Sequence, residues 1–152
     1  MSAKAGQGVV GFGYEGADLE GFLGTLLARG VRTVVDVRLT PISRKPGFSK
    51  RRLAAALAEL GIDYVHLPAL GNPKWNRPGF SGSAAALAAA RAAYAERIAC
   101  REARDGIEQI VSRAGSRLVA VLCFEADQQR CHRDIVLDQV RDRLQHRAGE
   151  LI

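Results

Sequence analysis

The chain reads as a small α/β protein: a doubly wound, mostly parallel sheet of about four strands or slightly more, flanked by helices in a Rossmann-like arrangement. Three observations predict it. Strand-like and helix-like segments alternate along the 152 residues, as they do in β–α–β units built on a parallel sheet. Leu118 to Leu122 is an unbroken apolar run, the signature of a strand covered by helices on both faces. Titratable residues follow directly after each strand-like segment, and open α/β sheets bind their ligands at the carboxyl ends of the strands.

Gly8 to Phe12 is a short apolar segment that ends in the glycine-flanked turn Gly13-Tyr14-Glu15-Gly16. Asp18 is placed to cap a helix with the apolar stripe Leu19, Phe22, Leu23, Leu26 and Leu27, closed by Gly30. Val31 to Val37 is the second strand and leads through Asp36 and Val37 to Arg38. A loop rich in proline and glycine spans Leu39 to Phe48, and Ser49 opens a helix carrying Leu53, Leu57 and Leu60. Ile62 to His66 is the third strand. The stretch Leu67 to Phe80 reads as a long loop, and loops of that length in a compact domain are more often functional than connective. Ser81 or Ser83 then opens an alanine-rich helical region to about Arg104, and a shorter helix, Ile107 to Ala114, precedes the fourth strand. Ile135, Val136, Val140 and Leu144 recur at helical spacing. They place Cys131, His132 and Arg133 at or near a helix N-terminus, where free N–H groups and the dipole suit an anion. A spatial order 3-2-1-4 is expected, with the switch point between strands one and four.

Length is that of one domain over residues 1–152, large enough to fold without disulfides or a structural metal. The opening Met-Ser-Ala-Lys-Ala-Gly has no apolar core of signal-peptide type, no run approaches membrane-spanning length, and the cysteines number three. A reducing cytoplasm and no membrane partner are expected. Six cations, Arg38, Arg44, Lys45, Lys50, Arg51 and Arg52, lie between Asp36 and Glu59 with no acid among them, and they match the whole net charge of +6. A block this compact attracts a phosphate-bearing small molecule or nucleic acid, or it is merely a solvated basic loop and helix start.

Cys131 is the better-placed nucleophile, because a helix start together with Arg130, His132 and Arg133 favours the thiolate. Cys123, at a strand end, is the alternative nucleophile or a small buried hydrophobe. Cys100 is expected mid-helix and in the core. Cys123, Cys131, His132 and His66 are possible soft ligands, yet seven residues followed by adjacent Cys-His do not match the usual zinc spacings. Neighbouring helical positions also point about 100° apart, so no metal is expected. A Cys123–Cys131 disulfide is within reach as a redox switch. Asp36 and Arg38 form either a structural ion pair or a functional one, in which Arg38 and Arg44 grip a phosphate while Asp36 orients one of them or acts as base. Glu15 and Glu125 follow strands one and four and are acid–base candidates, as are His66 and His132. Gly13-x-x-Gly16 lacks the third glycine of a dinucleotide fingerprint, so NAD is not expected and the cofactor stays unassigned. Trp75 either stacks on a base or, as expected here, folds back over the sheet edge.

Taken together, the motifs Gly13-Tyr14-Glu15-Gly16, Val35-Asp36-Val37-Arg38, Pro41-x-Ser43-Arg44-x-Pro46-x-Phe48, His66-Leu67-Pro68-x-Leu70-Gly71 and Cys123-Phe124-Glu125 with Cys131-His132-Arg133 resemble the bacterial and archaeal domain of unknown function numbered 488. They span nearly the whole chain in order. Where that family usually continues Leu-Gly-Gly, this chain has Leu70-Gly71-Asn72. The resemblance implies an α/β domain with its motifs at the strand ends and brings no known reaction. On these positions the expected site comprises Cys131, Cys123, Glu125, His132, Glu15, Asp36 and His66 for chemistry. Tyr14, Arg38, Ser43, Arg44, Gly71, Asn72 and Arg133 are expected to bind the anion.

The function expected from this pooling of groups is a small enzyme acting on a phosphorylated or nucleotide-like substrate. A non-catalytic module binding nucleic acid or another anion, and a thiol redox sensor, are the alternatives.

Overall fold

The computed structural model describes residues 6–150, the side chains of 148–150 excepted. Strands β1 (Gly8–Gly13), β2 (Val31–Asp36), β3 (Asp63–His66) and β4 (Leu118–Cys123) form one all-parallel sheet in the order β1-β4-β2-β3. The expected order 3-2-1-4 is corrected: β4 lies between β1 and β2. The reason lies in the side chains. β4 sends Val119, Val121 and Cys123 into one core and Ala120 and Leu122 into the other. A strand apolar on both sides is best placed inside the sheet, whereas β1, with Gly8, Gly11 and Gly13, has little to bury and takes an edge.

Helices α1 (Leu19–Ala28) and α2 (Lys50–Glu59) cover one face through Phe22, Leu26, Leu53 and Leu57. Leu27, expected in the α1 stripe, is instead half exposed. After the short helix α3 (Arg77–Phe80), helices α4 (Ala84–Arg97), α5 (Arg101–Ala114) and α6 (Arg133–Glu150) cover the other face through Tyr94, Ile107, Ile110, Val136 and Val140. The loops leaving β1 and β2 therefore turn to one face and the loop leaving β4 to the opposite one. This parting of the chain opens a crevice above β4.

Caps read from the sequence hold in part. Asp18 Oδ1 accepts from Gly21 N at 2.8 Å, and Ser83 Oγ accepts from Ala86 N at 3.2 Å. Ser49 occupies the α2 cap position but spends its hydroxyl on Ser43, accepting from Ser43 N and donating to Ser43 O. It thereby closes the loop 39–48 onto the helix.

Three further readings are corrected. The helical region expected to reach Arg104 breaks after Arg97, with Ile98 anchored in the core, and α5 restarts at Arg101. Cys100 is the cap residue of α5 and exposed, not core. Trp75 does not fold back: it is 73% exposed, because the 3₁₀ turn Lys74–Asn76 turns Asn76 inward instead. Asn76 Nδ2 donates to Asn72 Oδ1 at 2.9 Å and to Ala90 O at 3.0 Å. Among the described residues no helix is long and apolar enough to cross a membrane.

Candidate functional site

The ends of β1 and β4 are zipped together beyond the sheet. Tyr14 N donates to Cys123 O at 3.3 Å, and Glu15 N to Phe124 O at 2.8 Å. Gly13 makes this approach possible, since a Cβ there would stand 1.7 Å from Glu125 O. Beside this seam, above the carboxyl ends of β4 and β2, lies a cavity of about 290 Å³. Tyr14, Arg38, Thr40, Ser43, Arg44, Asn72, Arg77, Cys123, Glu125 and His132 line it, with Leu39, Ile42 and Phe124 as its apolar part. A larger groove of about 1070 Å³ runs over α1 and the Lys45–Gly47 loop. It holds no cysteine or histidine, whereas the smaller cavity is lined by Cys123 and His132.

The cavity floor is built from the β4 end and the start of α6. Cys131 is extended (φ −137°, ψ 142°) and α6 begins two residues later, so Cys131 and His132 are not consecutive helical positions. Cys123 lines the floor, and its Sγ is joined in a disulfide to that of Cys131 behind it, both residues being buried. Their Cα atoms are 7.7 Å apart, and this is the bridge that the sequence placed within reach. His132 Nε2 lies 2.8 Å from Val37 O. A carbonyl only accepts, so Nε2 carries the proton and Nδ1, 3.8 Å from Cys131 Sγ, presents its lone pair to the sulfurs. Burial lowers the His132 pKa to about 4, which keeps the ring neutral, and Tyr94 packs edge-on against it at 5.1 Å.

Arg133 is fully buried and donates through Nη1 to Cys123 Sγ at 3.2 Å and to Glu125 O, and through Nη2 to Ala126 O at 3.3 Å. Its Nε has no partner, and no ion pair joins it among the described residues. Burial lowers its pKa. The nearby charges of Glu125, Asp134 and Asp127 act the other way. Glu125 Oε2 lies 3.4 Å from Cys123 Sγ.

Asp36 and Arg38 sit one layer below. Arg38 Nε donates to Asp36 Oδ1 at 2.9 Å and Nη2 to Oδ2 at 2.7 Å, while Nη1 donates to Tyr14 Oη at 3.1 Å and Phe48 O at 2.7 Å. Four of the five guanidinium donors are thus engaged within the protein. Burial works against the charge, but the hydrogen bonds and charge of Asp36, then Tyr14, outweigh it and raise the Arg38 pKa. Asp36 also accepts from Arg38 N at 3.1 Å and from the Tyr64 hydroxyl. Tyr64 was not singled out in the sequence. Its alternation with Val65 in the β3 pattern was the available signal.

At the mouth, Arg44 is exposed and makes no hydrogen bond among the described residues. Arg77, likewise exposed, uses only Nε, donating to Asn72 O at 3.3 Å. Sequence reasoning passed over Arg77 as a cavity residue; its position in the long loop beside Asn72 was the signal. Asn72 is held by Asn76, and Gly71 lies so close to Leu39 that a Cβ would come within 2.5 Å of the Leu39 Cα. Ser43 Oγ accepts from Lys45 N at 3.1 Å.

Other expected residues lie outside the cavity wall. Glu15 is exposed and its carboxylate braces Ala126 N at 3.0 Å. His66 has Nε2 2.8 Å from Arg38 O and Nδ1 3.5 Å from Lys50 Nζ. The basic block disperses as well: Arg38 is buried, and Lys45 Nζ donates to Tyr14 O and Ala17 O at 3.1 and 2.6 Å.

A family model described as "Domain of unknown function DUF488" matches residues 18–140. No curated protein and no solved structure matches the chain.

Proposed function

The chain belongs to the DUF488 family, and from that footing we propose that it is a small cytoplasmic enzyme acting on a phosphate-bearing, nucleotide-like small molecule held in the cavity above β4. The observation that carries the reading is the cavity's polarity. Arg44 and Arg77 stand at its mouth with guanidinium donors to spare, and Cys123, Glu125 and His132 stand at its floor. A volume of about 290 Å³ falls at the small end of ligand sites, roughly 300–1,000 Å³. It suits a sugar phosphate or the phosphate-bearing part of a mononucleotide rather than a dinucleotide. In this reading Arg44, Arg77 and the Asn72 side chain hold the anion, Glu125 moves protons, and Cys123 and His132, with Cys131 behind them, are the reacting pole once the bridge is reduced. Asp36 and Arg38 set the shape of the wall.

The test is thermal unfolding of the reduced protein with inorganic phosphate, pyrophosphate and a panel of nucleoside monophosphates. A member of that panel is expected to raise the melting temperature by mass action. Arg44→Ala and Arg77→Ala are each expected to weaken its binding about tenfold, the range of one charged hydrogen bond, while Arg51→Ala leaves it unchanged. Equal binding by wild type, R44A and R77A rejects the reading.

One observation favours a second reading, a nucleic-acid-binding module. Lys50, Arg51 and Arg52 occupy the first turn of α2 with no acid among them, a placement that opposes the helix dipole by about 0.3–1 kcal/mol per charge and that an anionic partner would relieve. A steep fall of RNA or DNA affinity with salt supports it. No binding at low salt rejects it.

A further inference from the structure

We propose that Cys123, Cys131 and His132 form a zinc-type metal centre with its open coordination position facing the cavity. The inference deepens the reading of this cavity as a reaction site and rests on it. Cys123 Sγ, Cys131 Sγ and a ring nitrogen of His132 lie within 4.8 Å of one another, and all three residues are buried. Two thiolates and one imidazole are a set that suits Zn²⁺, and three protein ligands with a vacant fourth place are the arrangement of catalytic zinc.

Four independent features fit. First, His132 is pre-set as a ligand: Nε2 is committed to Val37 O at 2.8 Å, so Nδ1 offers its lone pair inward. Metal-binding histidines characteristically give their second N–H to a carbonyl or carboxylate in this way. Second, one of the two objections drawn from the sequence, that of neighbouring helical positions, falls, because Cys131 is extended rather than helical and can share a ligand point with His132. Third, the structure joins Cys123 and Cys131 through their sulfurs with Cα atoms 7.7 Å apart, wider than the usual span, so that reduction of this bridge frees two thiols at one point. Two tetrahedral Zn–S bonds of about 2.3 Å hold their sulfurs about 3.8 Å apart, a bridge for which this wider backbone spacing leaves room. Fourth, Arg133 donates to Cys123 Sγ at 3.2 Å, as outer hydrogen bonds to ligating thiolates do. On the cavity side Glu125 stands next to Cys123, where it can bond a water or substrate oxygen bound at the fourth position.

The test is titration of chelator-stripped, fully reduced protein with Co²⁺ as spectroscopic probe, followed by Zn²⁺. The expected result is one Co²⁺ per chain, with a near-ultraviolet sulfur-to-metal charge-transfer band and visible bands of tetrahedral type, all abolished by Zn²⁺. Cys123→Ser and Cys131→Ser are expected to lose the charge-transfer band or halve it, and His132→Ala to weaken Co²⁺ binding at least tenfold. Cys100→Ser leaves every spectrum unchanged. Circular dichroism shows whether each variant is folded, and the wild-type titration decides the matter even if a variant is not. Absence of charge-transfer absorption in wild type, or a band undiminished in both C123S and C131S, overturns the proposal. Phosphate binding by the metal-free protein is measured separately. Metal binding without phosphate binding leaves the centre standing and rejects the anion site, and the reverse result does the opposite.

Discussion

At the scale of single residues, the distinction that matters is between charges already satisfied and charges left for a ligand. Arg38 looked in the sequence like either a phosphate grip or an ion-pair partner, and no spacing rule separates the two. Geometry does, because Asp36 lies 0% exposed with both oxygens occupied by Arg38. Asp36→Asn would leave the Arg38 guanidinium buried without its counter-charge, and is expected to cost roughly 3–5 kcal/mol in urea denaturation. A loss below 1 kcal/mol would show that the pair is not structural. Tyr94 supplies a second residue-level outcome. Burial raises its pKa, as burial and then the Asp36 hydrogen bond raise that of Tyr64. The folded state therefore holds phenol protons that the unfolded chain releases above pH 10. A raised folded pKa means stability is complete below pH 10 and falls as pH climbs past it, by about 1.4 kcal/mol per pH unit for each group. Tyr94→Phe is expected to flatten that alkaline slope while losing about 1 kcal/mol at neutral pH with its bond to Leu70 O. An unchanged slope would contradict the burial argument.

At the scale of elements, existence and type were legible and the joints were not. The four strands, α1, α2 and the α6 start follow from apolar periodicity and from Asp18 and Ser49. The α4–α5 break does not, because no glycine or proline marks it and only the burial of Ile98 sets it. Contacts between elements were equally hidden. Arg130 reaches from the turn before α6 to Phe80 O and Gly82 O, both at 3.0 Å, and Arg91 reaches from α4 to Gln129 O and Asp134. Several cations that composition alone would offer to a ligand are used in this way to hold loops. The joint on which the site most depends is Gly13. Gly13→Ala would drive a methyl into Glu125 O, so β1 and β4 must part at their ends. A loss of several kcal/mol in stability is expected, together with loss of any ligand-induced thermal shift. A variant as stable as wild type would mean that the seam is not tight.

At the scale of the whole molecule, the sequence placed the candidate site by one general rule, that ligands gather at the carboxyl ends of parallel strands. It misplaced the centre of that site. Strand order depends on which strand can be buried on both sides, and Leu118–Cys123 is that strand. With β4 interior, the loops of β1 and β2 lean one way and the β4 loop the other. Tyr14, Arg38, Cys123 and His132, drawn from every part of the chain, therefore share one wall. Glu15 and His66, which also follow strand ends, fall outside it because the β1–β4 seam and the Arg38 carbonyl claim them. The measurement that tests this account most directly is residue-resolved NMR of the reduced, isotope-labelled protein titrated with inorganic phosphate and pyrophosphate. The account expects saturable shifts at Ser43, Arg44, Asn72, Arg77 and Glu125, with Lys50, Arg51 and Arg52 unmoved. Shifts confined to Lys50, Arg51 and Arg52, or none in the cavity wall, would contradict it.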